Sequence, residues 1–284
     1  LQLLKNCSCT TAQPIYMARF FYILLFACVL TSCSEFQKAL KSEDIKVKYD
    51  VAEKLYEKGK YAKSIRLFEQ IAPSYRGKPQ AEKLFYMYAQ ALYKTKQYYT
   101  AGYQFESFTA GYPRSEKIEE ASLLGAKSYY YLSPRYSLDQ VDTYKALDKL
   151  QQFIDRFPNS QLMPEANQLV KELNEKLETK AFEIAKQYHA TAEYFGDYNA
   201  ALKTLDNFLI DFPGTPLKED ALFLKYDSSY QLAINSVPSK MLDRLEAAKV
   251  NYAALVKFKA DTKYKEQADT MLARIDTELQ KFSK

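Results

Sequence analysis

His189 is the only imidazole in the 284 residues, so acid–base chemistry near neutral pH rests on this one side chain or on shifted carboxylates. A metal site built on it would need carboxylates as its other ligands. A nucleophilic triad would need the base held by an acid. A structural or surface histidine is the plainer reading. The 35 Asp and Glu residues could supply a glycosidase-type pair, but they spread along helical faces opposite Lys, as solvated helix surfaces do. No Gly-rich phosphate loop, HExxH, GxSxG or spaced Cys pair occurs after residue 33. These residues predict a protein without catalysis, metal or cofactor.

Cysteine is the other reactive type, and its placement is informative. Cys7, Cys9 and Cys28 all lie upstream of Cys33. Residues 1–16 do not begin with Met and have no clear hydrophobic periodicity, which reads as a non-native upstream extension with Met17 as the true start. Met17-Ala18-Arg19 and the apolar run Phe20 to Leu30 have the basic and apolar regions of a secretory signal over 17–32. That run makes about 16 Å of helix against a bilayer core of about 30 Å. It ends in Leu30-Thr31-Ser32-Cys33, which resembles the lipobox of bacterial lipoproteins, where the Cys becomes the lipidated first residue. A chance Cys beside an ordinary signal is the alternative. Lipidation would make Cys33 a lasting membrane anchor, since several acyl chains at about 0.8 kcal/mol per buried CH₂ outweigh one marginal chain.

Removal of 1–32 takes away Lys5 and Arg19, leaving 38 basic against 35 acidic side chains. That balance shows no concentrated basic surface, so a nucleic-acid partner is not expected. One Cys would remain, leaving packing rather than an internal disulfide to hold the fold. The 47% hydrophobic content, with 25 Tyr and 17 Phe, is ample for a core, while 7 Gly and 10 Pro are few for an all-β chain. Long helices are the expectation.

Those helices repeat. Five segments align without gaps: Tyr61 to Tyr75, Tyr98 to Tyr112, Thr143 to Phe157, Tyr198 to Phe212 and Leu245 to Lys259. A small column (Ser64, Ala101, Ala146, Ala201, Ala248) precedes a large one (Phe68, Phe105, Leu150, Leu205, Tyr252), and three residues on comes another (Ile71, Phe108, Phe153, Phe208, Leu255). A closing aromatic, Tyr75, Tyr112, Phe157 or Phe212, is missing from the fifth copy. Spacings of 4, 3 and 4 put the columns on one helical face. Pro113, Pro158 and Pro213 follow the closing aromatic and push it out of the α region. Ser115, Ser160 and Thr215 stand where a hydroxyl caps the next helix, and Thr215 is followed by Pro216, a favourable first helical residue. Gly59 and Gly196 suit a tight turn before Tyr61 and Tyr198.

Gly59-x-Tyr61-x-x-Ser64-x-x-x-Phe68-x-x-Ile71 and Gly196-x-Tyr198-x-x-Ala201-x-x-x-Leu205-x-x-Phe208 resemble the second half of tetratricopeptide repeats, with Ala52, Ala89 and Ala126 at the small position of the first helix. His189 falls at the same position in the fourth unit. The resemblance implies an all-α superhelix, an α-solenoid of about five helix pairs, with repeats 1–3 over 45–160 after a lipidated tether over 33–44, and repeats 4–5 over 161–284. Spacings of 37, 45 and 55 between closing aromatics exceed the usual 34. One long helix is therefore expected within 164–195, and an inserted loop from Leu132 to Asp142.

The lipobox, the repeats and the Tyr-Pro or Phe-Pro stops together resemble the BamD family, lipoprotein subunits of the outer-membrane β-barrel assembly machinery. High Tyr and Lys with no Trp suit a Bacteroidetes-type member. The resemblance implies an outer-membrane lipoprotein at the periplasmic face, without enzymatic activity. It would bind unfolded outer-membrane protein precursors, including their aromatic-ending C-terminal signals, through residues 45–135, and couple them to the barrel-forming subunit through 165–284. Counting back from the turns puts Tyr49, Tyr56, Tyr86, Tyr93, Leu123 and Tyr130 at groove-facing register as a client surface. Packing between neighbouring helices is the alternative for each. Lys-rich stretches Lys54 to Lys63 and Lys257 to Lys265 read as solvent faces, or as contacts to lipid headgroups or an acidic partner. Two rival functions stay open: another periplasmic tetratricopeptide lipoprotein scaffolding an envelope complex, and, more remotely, a lipid-anchored cell-wall hydrolase using paired carboxylates.

Overall fold

A computed structural model describes residues 34–282. The signal-like run and Cys33 lie outside them. Twelve helices and no strand occur among the described residues: α1 (Ser34–Lys41), α2 (Ile45–Glu57), α3 (Tyr61–Tyr75), α4 (Ala81–Lys94), α5 (Tyr98–Gly111), α6 (Ile118–Leu132), α7 (Val141–Arg156), α8 (Met163–Phe195), α9 (Asn199–Asp211), α10 (Lys218–Ile234), α11 (Pro238–Phe258) and α12 (Lys265–Phe282). The all-α class of helix pairs is as expected. Two compact units divide the chain. The first takes in residues 34–132 and 148–166, and the second 133–147 and 167–282.

The repeated columns are the core. Ser64, Ala101, Ala146, Ala201 and Ala248 have no exposed surface, so the partner helix of each pair can approach closely. Phe68, Phe105, Leu150 and Leu205 are buried one turn on, as are Ile71, Phe108, Phe153, Phe208 and Leu255 beyond them. Burying each such side chain contributes about 1.5–3 kcal/mol. Tyr252 departs from its column: it is half-buried, and its hydroxyl donates to Asp269 Oδ1 at 2.6 Å.

Helix ends follow local chemistry. Tyr112 and Phe212, each before a proline, leave the helical region in nearly the same way, at φ −127°, ψ 62° and φ −125°, ψ 66°. Their N–H groups still close the last turns onto Phe108 O and Phe208 O. Gly59 and Gly196 take φ of +68° and +70° in the turns between paired helices. The same turn in the second pair uses Lys96 at φ +60°, the one non-glycine there among the described residues, which no glycine in the sequence announces. α11 begins at Pro238, well before the aligned segment from Leu245, because Val237 is extended and Pro238 suits the first helical turn.

α8, of which the part from Asn167 belongs to the second unit, runs 33 residues, about 50 Å, as the long spacing required. It braces the inserted segment. Lys176 Nζ donates to Ser133 Oγ at 2.6 Å and Lys180 Nζ to Leu138 O at 2.7 Å. Buried Gln140 holds the segment from inside, donating to the carbonyls of Arg135 and Leu138 at 2.9 Å each and accepting from Thr143 Oγ1.

Candidate functional site

Four hydroxyl turns tie each pair to the one before. Ser115 Oγ accepts from the N–H of Lys117, as an N-terminal cap should, and donates to Glu82 Oε1 at 2.6 Å. Ser160 repeats this with Leu162 and Glu119 Oε2, at 3.1 and 2.7 Å. In the second unit Thr215 accepts from Leu217 and donates to Glu178, and Thr262 donates to Glu219 Oε1 at 2.6 Å. Ser115, Ser160 and Thr215 were legible as caps in the sequence; Thr262 was not, nor were the glutamate partners, 33 to 43 residues away. These clamps fix the spacing of first helices within each unit, and therefore the surfaces those helices offer.

The six residues counted onto a groove separate into three groups in the first unit. Tyr49 and Leu123 are core residues, 7% and 3% exposed, and Tyr49 stacks on Tyr75 at 5.2 Å. They give a client almost no surface, because neighbouring helices cover them. Tyr56 and Tyr86 come together through Gln90. The amide oxygen of Gln90 accepts from the Tyr56 hydroxyl, and its Nε2 donates to Tyr86 Oη at 2.7 Å and Glu120 Oε1 at 3.3 Å. Burial, and then Glu120, push the Tyr86 phenol far above its ordinary value, so it stays a neutral donor. Beside them lies a groove of about 460 Å³ whose wall includes Pro79, Met87, Phe108 and Lys117. Tyr93 and Tyr130 belong to a third group with Tyr98 and Tyr131, in which Tyr98 and Tyr131 stack at 4.7 Å and Tyr93 meets both rings.

A cleft that the register count missed is better formed. About 510 Å³ in volume, it has half-buried Phe85 and Tyr112 as its aromatic floor over the core residue Phe108, an exposed Tyr103 at its side, and Arg76 and Lys78 at its rim. No carboxylate lines it. Apolar surface beside uncompensated cations suits an aromatic group that carries an anion. Its only sequence signal was the pair Arg76 and Lys78 around Gly77, where the chain turns between α3 and α4.

His189 sits between two side chains of α10, with Nδ1 2.8 Å from Ser228 Oγ and Nε2 3.3 Å from Asp227 Oδ2. This has the members of a nucleophilic triad, but Ser228 is completely buried, so no acyl group can reach its hydroxyl. The imidazole joins α8 to α10 within the second unit. Among the described residues no group of His, Cys, Asp and Glu is arranged to hold a metal ion. No described helix is long and apolar enough to cross a membrane. The outward side of α8 carries exposed apolar residues: Ile184 (41%), Tyr188 (46%), Tyr194 (86%) and Phe195 (83%).

Fold and clefts together define a protein of clamped helix-pair repeats with aromatic-lined clefts. The family model YfiO, described as an outer membrane lipoprotein, matches residues 41–240, and the chain belongs to that family. Among curated relatives it is 29% identical over 237 residues to an outer membrane protein assembly factor of the BamD type from Aquifex aeolicus (strain VF5), spanning 80% of this chain and 74% of the relative. It is 24% identical over 186 residues to the outer membrane protein assembly factor BamD of Rickettsia prowazekii (strain Madrid E), spanning 66% and 72%. A solved kinesin light chain of Podosopora anserina with TPR-like repeats aligns over 78% of this chain and 98% of that one, with 14% identity. The TM-score of that superposition is 0.31.

Proposed function

We propose that the protein is an outer-membrane lipoprotein, anchored through Cys33 at the periplasmic face, that receives unfolded barrel precursors and couples them to the barrel-forming subunit of the assembly machinery. It does so by binding, without catalysis. Family membership and the assembly-factor names of both curated relatives support assembly over a general envelope scaffold. For client binding, the observation that carries the reading is the cleft of Phe85 and Tyr112 under Arg76 and Lys78. A chain ending in an aromatic residue presents a ring for the floor and a carboxylate for the cations. The Tyr56–Gln90–Tyr86 groove extends the surface available to the residues preceding that end. Exposed Ile184, Tyr188, Tyr194 and Phe195 support the second unit as the docking half, since clustered exposed apolar side chains mark protein interfaces.

The test is a fluorescence titration with a peptide ending in Phe, as free acid and as amide. The free acid binds the wild-type protein more tightly, and Arg76→Ala with Lys78→Ala removes the difference. Equal binding of acid and amide by both proteins would remove the cleft from the reading.

A further inference from the structure

The Lys-rich start of the first unit has a geometry that client binding leaves unused. α1 packs against α2 and α3 through Phe36, which is 5% exposed. Two cations from α3 stand over that same ring: Lys63 Nζ at 5.6 Å and Arg66 Cζ at 5.7 Å from its centroid. The preceding residue, Glu35, is bonded by Lys54 Nζ at 2.7 and 3.0 Å. Its carboxyl is held below the ordinary value by Lys54, with Lys58 adding to the effect, so Lys58 too faces this end of α1. Four cations, from α2, the residue that follows it and α3, thus gather about two consecutive residues, and Glu35 is already paired with Lys54. Lys58, Lys63 and Arg66 make no ion pair among the described residues.

Chain length fixes where this cluster stands. Glu35 and Phe36 follow Cys33 by two and three residues, so their Cα atoms lie within about 7 and 11 Å of it. The Debye length at physiological ionic strength is about 8 Å. A surface to which Cys33 is tied therefore lies about one Debye length from Glu35, around which these cations gather. An acidic protein partner would leave that proximity unexplained, whereas a layer of phosphates at the anchor point uses it.

We infer that Lys58, Lys63 and Arg66 form a collar that binds the phosphates of anionic phospholipid headgroups beside the lipidated cysteine. Arg66 brings a planar fork suited to phosphate oxygens, and the lysines act as point charges. Because α1 is pinned to the first unit by Phe36, headgroup contact sets the orientation in which that unit stands on the membrane, and the acyl chains alone would leave it free to swivel. This rests on the anchored reading of Cys33.

The experiment separates the collar from the anchor. The mature chain from residue 33, carrying Cys33→Ala and so without acyl chains, is sedimented with vesicles of phosphatidylcholine with or without phosphatidylglycerol. It partitions onto the anionic vesicles about 100-fold more strongly, and high salt abolishes the difference. Each basic residue at such a surface contributes about fivefold, so Lys58→Gln, Lys63→Gln and Arg66→Gln together lower the partition about 100-fold. A control triple of equal charge in the second unit, Lys240→Gln, Lys257→Gln and Arg274→Gln, leaves it within about threefold. Should the collar triple misfold by circular dichroism, Arg66→Glu alone, at an exposed side chain, gives the same reading with a loss of at least about fivefold. Equal losses from collar and control, or no preference for anionic vesicles, would overturn the collar. Labelled palmitate on the wild-type protein reports on Cys33 separately. No label would overturn the anchor while leaving the vesicle result standing.

Discussion

The Thr262 hydroxyl donates to Glu219 Oε1 at 2.6 Å, and the same oxygen accepts from the N–H of Lys263 at 2.8 Å while Lys259 Nζ holds Oε2 at 2.8 Å. One carboxylate near the start of α10 thereby fixes the entire turn between α11 and α12. It is the most fully satisfied of four clamps, each joining a turn hydroxyl to a glutamate on an earlier first helix.

This clamp predicts an acid-sensitive second unit. Lys259, Thr262 and the Lys263 N–H hold the Glu219 carboxyl down at about 2, below its ordinary 4.5. The unfolded state then binds more protons than the folded state between those values, so the contribution is complete above about pH 5 and drains away as pH falls toward 2. In denaturant titrations, Glu219→Gln lowers the midpoint at neutral pH, and the gap from wild type narrows steadily below pH 4.5. A gap independent of pH would contradict the assignment.

Ser115→Ala removes both a cap and a clamp. The Lys117 N–H loses its acceptor and Glu82 its donor. The expected cost is about 1–2 kcal/mol, or a fall in Tm of roughly 2–8 °C by calorimetry. Ser115→Thr keeps the hydroxyl and most of the stability.

Lys96 stands in the left-handed region at φ +60° where Gly59 and Gly196 make the equivalent turns. Lys96→Gly removes the steric penalty on Cβ and is expected to stabilise the protein by about 0.5–1 kcal/mol, read as a higher denaturant midpoint with unchanged slope. Destabilisation would mean that the lysine side chain contributes more than its backbone costs.

What could be read from the sequence was whatever depends on neighbours within one helix. The Ala101, Phe105 and Phe108 columns are buried because a 3.6-residue period places them on one side, and Tyr112 stops α5 because Pro113 follows it. The long α8 and the inserted segment after Leu132 followed from spacing alone. Relations across pairs were out of reach. Register places Tyr49 on the same helical stripe as Tyr56 but does not say that Tyr75 covers one ring while the other meets Gln90. The cleft is assembled from the α3–α4 turn, α4 and α5, which no single period encodes. Lys96 carries no mark of its unusual backbone, since lysine is neutral in every turn rule.

The Tyr56–Gln90–Tyr86 link predicts a local effect on the groove. Gln90→Leu leaves Tyr56 and Tyr86 without their shared partner and a part-buried Glu120 contact unmade, at a cost of about 1–2 kcal/mol. Binding of the Phe-terminated peptide to the neighbouring cleft should change less than threefold. A tenfold loss would show that the two surfaces act as one.

Co-isolation addresses the central claim most directly. The full-length protein, carrying an affinity tag, is recovered from detergent-solubilised outer membrane and its bound proteins are identified by mass spectrometry. The account predicts a large β-barrel protein with periplasmic repeat domains, retained by wild type and released when Ile184, Tyr188, Tyr194 and Phe195 are replaced by Ser. Recovery of unrelated envelope components in its place, from a protein that is folded and membrane-bound, would contradict the assembly function.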